Sequence, residues 1–271
     1  MLTVDKIAFI GGGNMAEAIM QGLLREGVAA AGICVAEISP RRRDEIAAGF
    51  PGVRVVSAIS EAASWGEVVI LAVKPQQASG VLEQLGAAIT ADKLLVSIMA
   101  GIQSSKIEGQ LAPGCRVVRA MPNTPALIGA GATAICAGKN ASAADLDLVR
   151  QIFAMTGTAD YVEEKLMDAV TALSASGPAY VFTFIEALSD AGVKNGLPRD
   201  VAARLAVQTV LGSARMVVET GEHPALLKER VTSPGGTTIA GLHALENGSF
   251  RGVVMDAVEA ACKKSRELAG K

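Results

Sequence analysis

The sequence predicts an α/β fold: a doubly wound, mostly parallel sheet in the first part, followed by an all-helical domain. Three observations carry this. Short apolar runs alternate with helix-spaced segments, a glycine-rich turn directly follows the first run, and beyond Tyr161 long helical segments take over. The boundary is expected near residue 160, giving domains 1–160 and 161–271.

Taken in order, Lys6–Ile10 is an apolar run ending in glycines, and Asn14–Glu26 has helical spacing with Gly27 as its stop. Ile33–Ala36 and Val53–Val56 are the next strands, separated by a charged helix from Pro40 to Ala48. Val68–Val73 (VVILAV) is continuously apolar, as suits a strand covered on both faces. Pro75 ends it, and a helix follows over Gln76–Leu85. Leu94–Met99, Arg116–Ala120 and Ala132–Ala137 complete seven strands, with helices at Ser104–Leu111 and Ala144–Met155. In the second part, helices are expected over Asp168–Leu173, Pro178–Asp190, Pro198–Glu219, Thr237–Leu245 and Gly252–Leu268.

Composition narrows the function. Half the residues are hydrophobic and the formal net charge is −2, which offers no electrostatic footprint for nucleic acid or an anionic membrane. Aromatic content of 3% leaves no stacking platform for single strands. The four cysteines are scattered and there are two histidines, His223 and His243, so no metal site is expected. The N-terminus lacks the pattern of a secretory signal, and no apolar run is read as long enough to span a bilayer; the expected location is cytoplasmic.

Gly11-Gly12-Gly13-Asn14-Met15-Ala16 matches G-x-G-x-x-A between a strand and a helix. Gly11 permits the tight turn, Gly13 lets a pyrophosphate approach the backbone, and Ala16 allows close helix packing. This is the fingerprint of a Rossmann-type dinucleotide site, with the phosphates at the helix N-terminus. The second strand ends in Glu37-Ile38-Ser39-Pro40-Arg41-Arg42-Arg43, which mixes two signals. An acidic residue there holds the ribose hydroxyls of NAD, whereas Ser39 with Arg41 or Arg42 forms a cup for the 2′-phosphate of NADP. NADPH is the expected cofactor, with NADH as the other candidate. Lys74-Pro75 and Met121-Pro122-Asn123-Thr124-Pro125 lie at the carboxyl ends of strands, where open α/β sheets bind ligands. Ser233-Pro234-Gly235-Gly236-Thr237-Thr238 opens a helix, and reads either as an anion nest for a substrate carboxylate or as a structural loop with Ser233 as N-cap.

Several segments together resemble the pyrroline-5-carboxylate reductase family: FIGGGNMAEA (9–18), LAVKP (71–75), RAMPNTPALIGAG (119–131), SGPAYVF (176–182), GLPRDVA (196–202) and TSPGGTTIAGLHALENGSFRG (232–252). The resemblance implies NAD(P)H-dependent reduction of 1-pyrroline-5-carboxylate to L-proline, the last step of proline biosynthesis. It implies that Gly11, Gly13, Asn14, Met15 and Ala16 hold the pyrophosphate, and that Ala72, Lys74 and Pro75 line the cofactor cleft. It places Ala100, Gly101 and Asn123 on the nicotinamide side. It gives Ser233, Gly236, Thr237 and Thr238 the substrate carboxylate, and Thr238 is the candidate proton relay. The family builds its site at a homodimer interface, and some members assemble into decamers. One departure is Ile59, which falls where some relatives carry an asparagine against the cofactor ribose. Two other readings use the same residues. A 3-hydroxyacid-dehydrogenase-like enzyme would need a placed lysine such as Lys165 or Lys194, and a nucleotide-sensing module would need only the first half.

Overall fold

The computed structural model describes residues 2, 4–86 and 88–270. Its sheet has eight strands: β1 Ile7–Ile10, β2 Ile33–Ala36, β3 Arg54–Val56, β4 Val68–Leu71, β5 Leu94–Ser97, β6 Arg116–Met121, β7 Gly131–Ala137 and β8 Gly157–Tyr161. They lie in the order β3-β2-β1-β4-β5-β6-β7-β8. Every pairing is parallel except β6 with β7. The short 122–130 connection explains the exception, because a parallel crossover needs a dozen or more residues. β8 is an addition to the seven expected strands. Its sequence, GTADY, has no apolar run because it sits at an edge, half exposed.

Helices connect the strands: α1 Asn14–Arg25, α2 Pro40–Gly49, α3 Ile59–Trp65, α4 Ala78–Leu85, α5 Ser104–Glu108 and α6 Ala143–Ala154. Strand residues alternate between two buried clusters. Ile7, Phe9, Val35, Ile70 and Val96 face the cluster that also holds Ile19, Leu23 and Phe153, while Ala8, Ile10, Cys34, Leu71 and Leu95 join Ala62, Leu82 and Ile107 in the other. Both faces are therefore covered, which is why the strands read as unbroken apolar runs. Helix α6 begins with a capping box, Ser142 with Asp145, and the buried Asp145 also pairs with Arg116 at 2.6 Å.

The remaining helices are α7 Met167–Val170, continued by a π-turn over Thr171–Ala175, then α8 Gly177–Lys194, α9 Arg199–Thr220, α10 Pro224–Arg230, α11 Thr237–Asn247 and α12 Phe250–Leu268. The chain divides into two compact units, 1–176 with 260–271, and 177–259. Residues 161–176 and the last turns of α12 thus belong spatially with the sheet. The buried Ser265 hydroxyl donates to Asp168 at 2.9 Å and holds the end of α12 there. Among the described residues one helix, α9, is long and apolar enough to cross a membrane, contrary to the expectation that no segment would be. Its apolar residues are spread through a charged sequence, so no single run shows it.

Candidate active site

At the carboxyl end of β1, Gly11 takes a φ of +99°, and a Cβ there would come within 2.8 Å of the Ala72 carbonyl oxygen. β1 and β4 are adjacent, so the glycine turn and Ala72-Val73-Lys74 meet where the strand order reverses. This is the switch point at which such sheets bind ligands. Gly13 caps α1 in extended conformation with no side-chain hydrogen bond, and the space where its Cβ would stand is open to 4 Å. The N–H groups of the first turn, Asn14, Met15 and Ala16, therefore face outward without intrahelical partners. Ala16 is fully buried against the sheet. Free donors, a positive dipole end and an unobstructed approach fit a dinucleotide pyrophosphate.

A cleft of about 210 Å³ beside this turn is lined by Gly11, Gly13, Glu37, Ile59, Ala72 and Lys74, among others. Ile59 opens α3 and presents an aliphatic wall there. A second cleft in the same unit, of about 470 Å³, brings together Pro75, Ala100, Gly101, Thr171, Ser176 and Ser265. Four of these, Thr171, Ser176, Ser265 and the loop glycine, give it polar edges, and the π-turn supplies the first.

The Ser39 and arginine cluster is arranged differently from a three-residue phosphate cup. Ser39 caps α2, its Oγ accepting the Arg42 N–H at 3.4 Å, and neither Ser39 nor Arg41 lines the smaller cleft. Arg42 is turned into the glycine loop, where its Nε donates to the Gly12 carbonyl at 2.7 Å and its guanidinium pairs with Glu17 and Glu45. Arg43 donates to the carbonyls of Glu37 and Ile38. Asn123 is also engaged: Nδ2 donates to the Ser174 carbonyl at 3.0 Å, and Oδ1 accepts the Ala132 N–H at 2.9 Å. Its side chain ties the PNTP loop to the π-turn.

One network was not anticipated. Arg119 lies buried on β6 and donates to Glu164 at 2.7 Å. The same carboxylate accepts the Ser104 N–H at 2.7 Å and its hydroxyl at 2.5 Å, pinning the start of α5 just after Ala100-Gly101. Burial pushes the Glu164 carboxyl up, but the Ser104 and Arg119 bonds outweigh it and hold its pKa below the ordinary value. An arginine inside an apolar strand is the sequence signal for such a partner, since a buried charge must be paired. Burial pushes the Cys34 and Cys136 thiols up to about 11 and the Cys115 thiol upward, so these three are not poised as nucleophiles.

In the helical unit, the SPGGTT loop forms the N-terminus of α11 with Gly236, not Ser233, as the cap. A Cβ on Gly236 would overlap the Ser233 Oγ, so any other residue there would require that hydroxyl to rotate away. Gly236 provides no side-chain cap, so the N–H groups of the first turn remain open. Among the described residues the hydroxyls of Ser233, Thr237 and Thr238 make no hydrogen bond, leaving three further polar groups at the same helix end. His223 caps α10 through Nδ1, and His243 contacts Asn247, both consistent with structural or surface roles.

Comparison with known proteins decides the family. Residues 164–268 match the model for pyrroline-5-carboxylate reductase dimerisation, and residues 6–101 match the model for NADP oxidoreductase, coenzyme F420-dependent. Pyrroline-5-carboxylate reductase from Arabidopsis thaliana is 47% identical, over 97% of this chain and 95% of its own. The enzyme of that name from Synechocystis is 48% identical over 98% and 99%. The chain belongs to the pyrroline-5-carboxylate reductase family. Its fold agrees: the reductase from Coxiella burnetii superposes with a TM-score of 0.93 at 38% identity, covering 98% of this chain and 99% of that one. The Plasmodium falciparum pyrroline carboxylate reductase, solved with NADP bound, superposes at 0.88 with 37% identity and 99% coverage of both. The α/β class, the Rossmann-type sheet and the helical dimerisation part expected from sequence are those of pyrroline-5-carboxylate reductases.

Proposed function

We propose that this chain catalyses NAD(P)H-dependent reduction of 1-pyrroline-5-carboxylate to L-proline. The observation that carries the reading is identity near one half over nearly the full length of relatives bearing that activity in their names. The two uncapped helix ends add physical support, since a dinucleotide and a carboxylate both need anion sites.

Gly11, Gly13, Asn14, Met15 and Ala16 would receive the pyrophosphate, with Ala72, Lys74 and Pro75 along the cleft and Ala100 and Gly101 toward the nicotinamide. Asn123 acts there by shaping the loop, because its own polar atoms are held. When bound, the reduced nicotinamide supplies a hydride to the C=N carbon. Ser233, Gly236, Thr237 and Thr238 hold the substrate carboxylate through first-turn N–H groups and hydroxyls. The imine nitrogen must gain one proton; either the substrate binds already protonated, or the Thr238 Oγ1 passes a proton from water to that nitrogen. Orientation then supplies much of the acceleration.

We assign cofactor binding functionally to 1–160 and dimerisation with substrate binding to 161–271. The active form is a homodimer, with a decamer as a further assembly, and the location is cytoplasmic. A second copy, rather than a bilayer, covers α9: its Arg204 and Arg215 each pair with a carboxylate on the same helix, and charged groups are costly in hydrocarbon. The test is oxidation of NADPH, and separately NADH, followed at 340 nm with pyrroline-5-carboxylate. L-proline formation is expected; no turnover with either cofactor by the folded protein would reject the reading.

A further inference from the structure

The larger cleft has one wall to which the reductase reading gives no role. Ala261, Ser265 and Leu268, on the last turns of α12, line it together with Ala100-Gly101 and Thr171, and they belong to the sheet unit. The end of the helix lies close against the loop after β5. Gly101 takes a φ of +73°, and a Cβ there would come within 3.7 Å of the Ala269 nitrogen. What holds this end is a buried bond. Ser265 and Asp168 are 6% and 5% exposed, and the Ser265 hydroxyl donates to the Asp168 carboxylate at 2.9 Å. A carboxylate taken out of water needs such donors, and a bond to a charged acceptor is stronger than one between neutral groups. The Lys264–Glu267 pair on the same turns is exposed, at 3.1 Å, and contributes little. Asp168 stands on α7, about one turn before Thr171 in the π-turn. The Ser265–Asp168 bond therefore joins two walls of the cleft and sets the distance between them. Leu268 is 73% exposed and offers the cleft an apolar side chain. Such a surface suits a flat, uncharged ring.

We infer that Ser265 is a positioning residue for the reduced dinucleotide: tied to Asp168, it seats the end of α12 as a wall of the larger cleft, and Leu268 on that wall meets the nicotinamide ring. The placement of the nicotinamide in this cleft rests on the reductase reading, whereas the role of α12 rests on the buried bond. Ser265 acts through the wall it fixes. Hydride transfer demands close alignment of the ring with the imine carbon, so a wall that shifts by a fraction of an ångström misdirects the ring although no reacting group has changed. The adenosine half of the cofactor, at the glycine turn, is untouched by this bond.

The test is calorimetric binding, without substrate, of NADPH and of 2′-phospho-ADP-ribose to the full-length protein. The second ligand is the first without its nicotinamide, so the ratio of its Kd to that of NADPH reads the contribution of the ring alone. Ser265→Ala is expected to lower this ratio about tenfold, and Ser265→Thr, which keeps the hydroxyl, to leave it within about twofold of the parent. Leu268→Ser, at an exposed position where folding is not at stake, should lower it about fivefold. If Ser265→Ala does not fold, Leu268→Ser and Ser265→Thr carry the test. A ratio that Ser265→Ala and Leu268→Ser both leave within about twofold of the parent overturns the inference, as does equal weakening of the two ligands, which would mark a general loosening of the unit. A parent that binds the two ligands alike also overturns it, because the ring would then lie outside this cleft. Absence of binding by either ligand to the parent would instead overturn the dinucleotide site on which the reductase reading depends.

Discussion

The two units of this chain satisfy their apolar residues in different ways. The sheet unit encloses Ile7, Phe9, Ile70, Leu71, Phe153 and many others to near-zero exposure in two clusters. In the helical unit, residues 177–259, only Ser189, Ala202 and Ala206 are buried, while Phe182, Leu205, Val207, Leu211 and Val218 stand open in the single chain. The helices are regular and well formed, so the difference does not lie in local structure. It lies in where the apolar faces find partners. A sheet covered by its own helices is complete in one chain, whereas a few helices with apolar residues on several faces need a second set. Residues 164–268 match the model for pyrroline-5-carboxylate reductase dimerisation, and the partner we propose for these faces is another copy.

That contrast can be broken directly. Leu211 lies on α9 and is half exposed. Leu211→Glu would place an unpaired charge among apolar groups if a second copy covers the helix, and such burial is strongly unfavourable. Ultracentrifugation should show monomers in place of dimers, with reductase activity reduced about a hundredfold or more. NAD(P)+ binding at the glycine turn should survive, because the sheet unit holds its own core. A variant that stays dimeric and fully active would mean that this face of α9 is not the dimer surface.

The same contrast governs what could be read from sequence. Strands buried on both faces announce themselves as unbroken apolar runs, and seven of the eight were located to within two residues at each end. β8 was missed because an edge strand needs no such run, and α3 and α10 because seven residues give too little periodicity. The glycine turn and SPGGTT were legible because each backbone feature demands particular residues. The direction of the Glu37 carboxylate was not, since it depends on two backbone N–H groups brought together by folding. Likewise Ser233 had the composition of an N-cap, and only the geometry shows Gly236 in that place.

The second prediction sharpens the role of the helical unit beyond assembly. Thr238 carries a hydroxyl with no hydrogen-bond partner among the described residues at the open end of α11. Thr238→Val keeps the shape and removes the hydroxyl. If Thr238 relays a proton, kcat/KM should fall about a hundredfold, within the range for general acid–base groups. The loss should be largest at high pH, where free imine is scarcely protonated, while the dimer and dinucleotide affinity stay unchanged. Full retention of kcat/KM across the pH range would leave the preprotonated route.

The smallest expected effect belongs to Glu164, which joins residues on either side of the sequence boundary within the sheet unit. Its folded pKa lies below the ordinary glutamate value because the Ser104 and Arg119 bonds outweigh the effect of burial. A depressed carboxylate binds its proton less readily in the native state than in the unfolded chain. Its stabilising contribution is therefore complete above the ordinary value and is lost as pH falls through the folded one. Thermal unfolding measured from pH 7 downward should show part of the acid destabilisation below about pH 4.5 disappearing in Glu164→Gln. At pH 7 the variant should be less stable, because Arg119 remains buried without its counter-charge. Equal acid sensitivity in the two proteins would show that the Arg119–Glu164–Ser104 network does not couple protonation to folding, and that the loop at Ala100-Gly101 is held by packing alone.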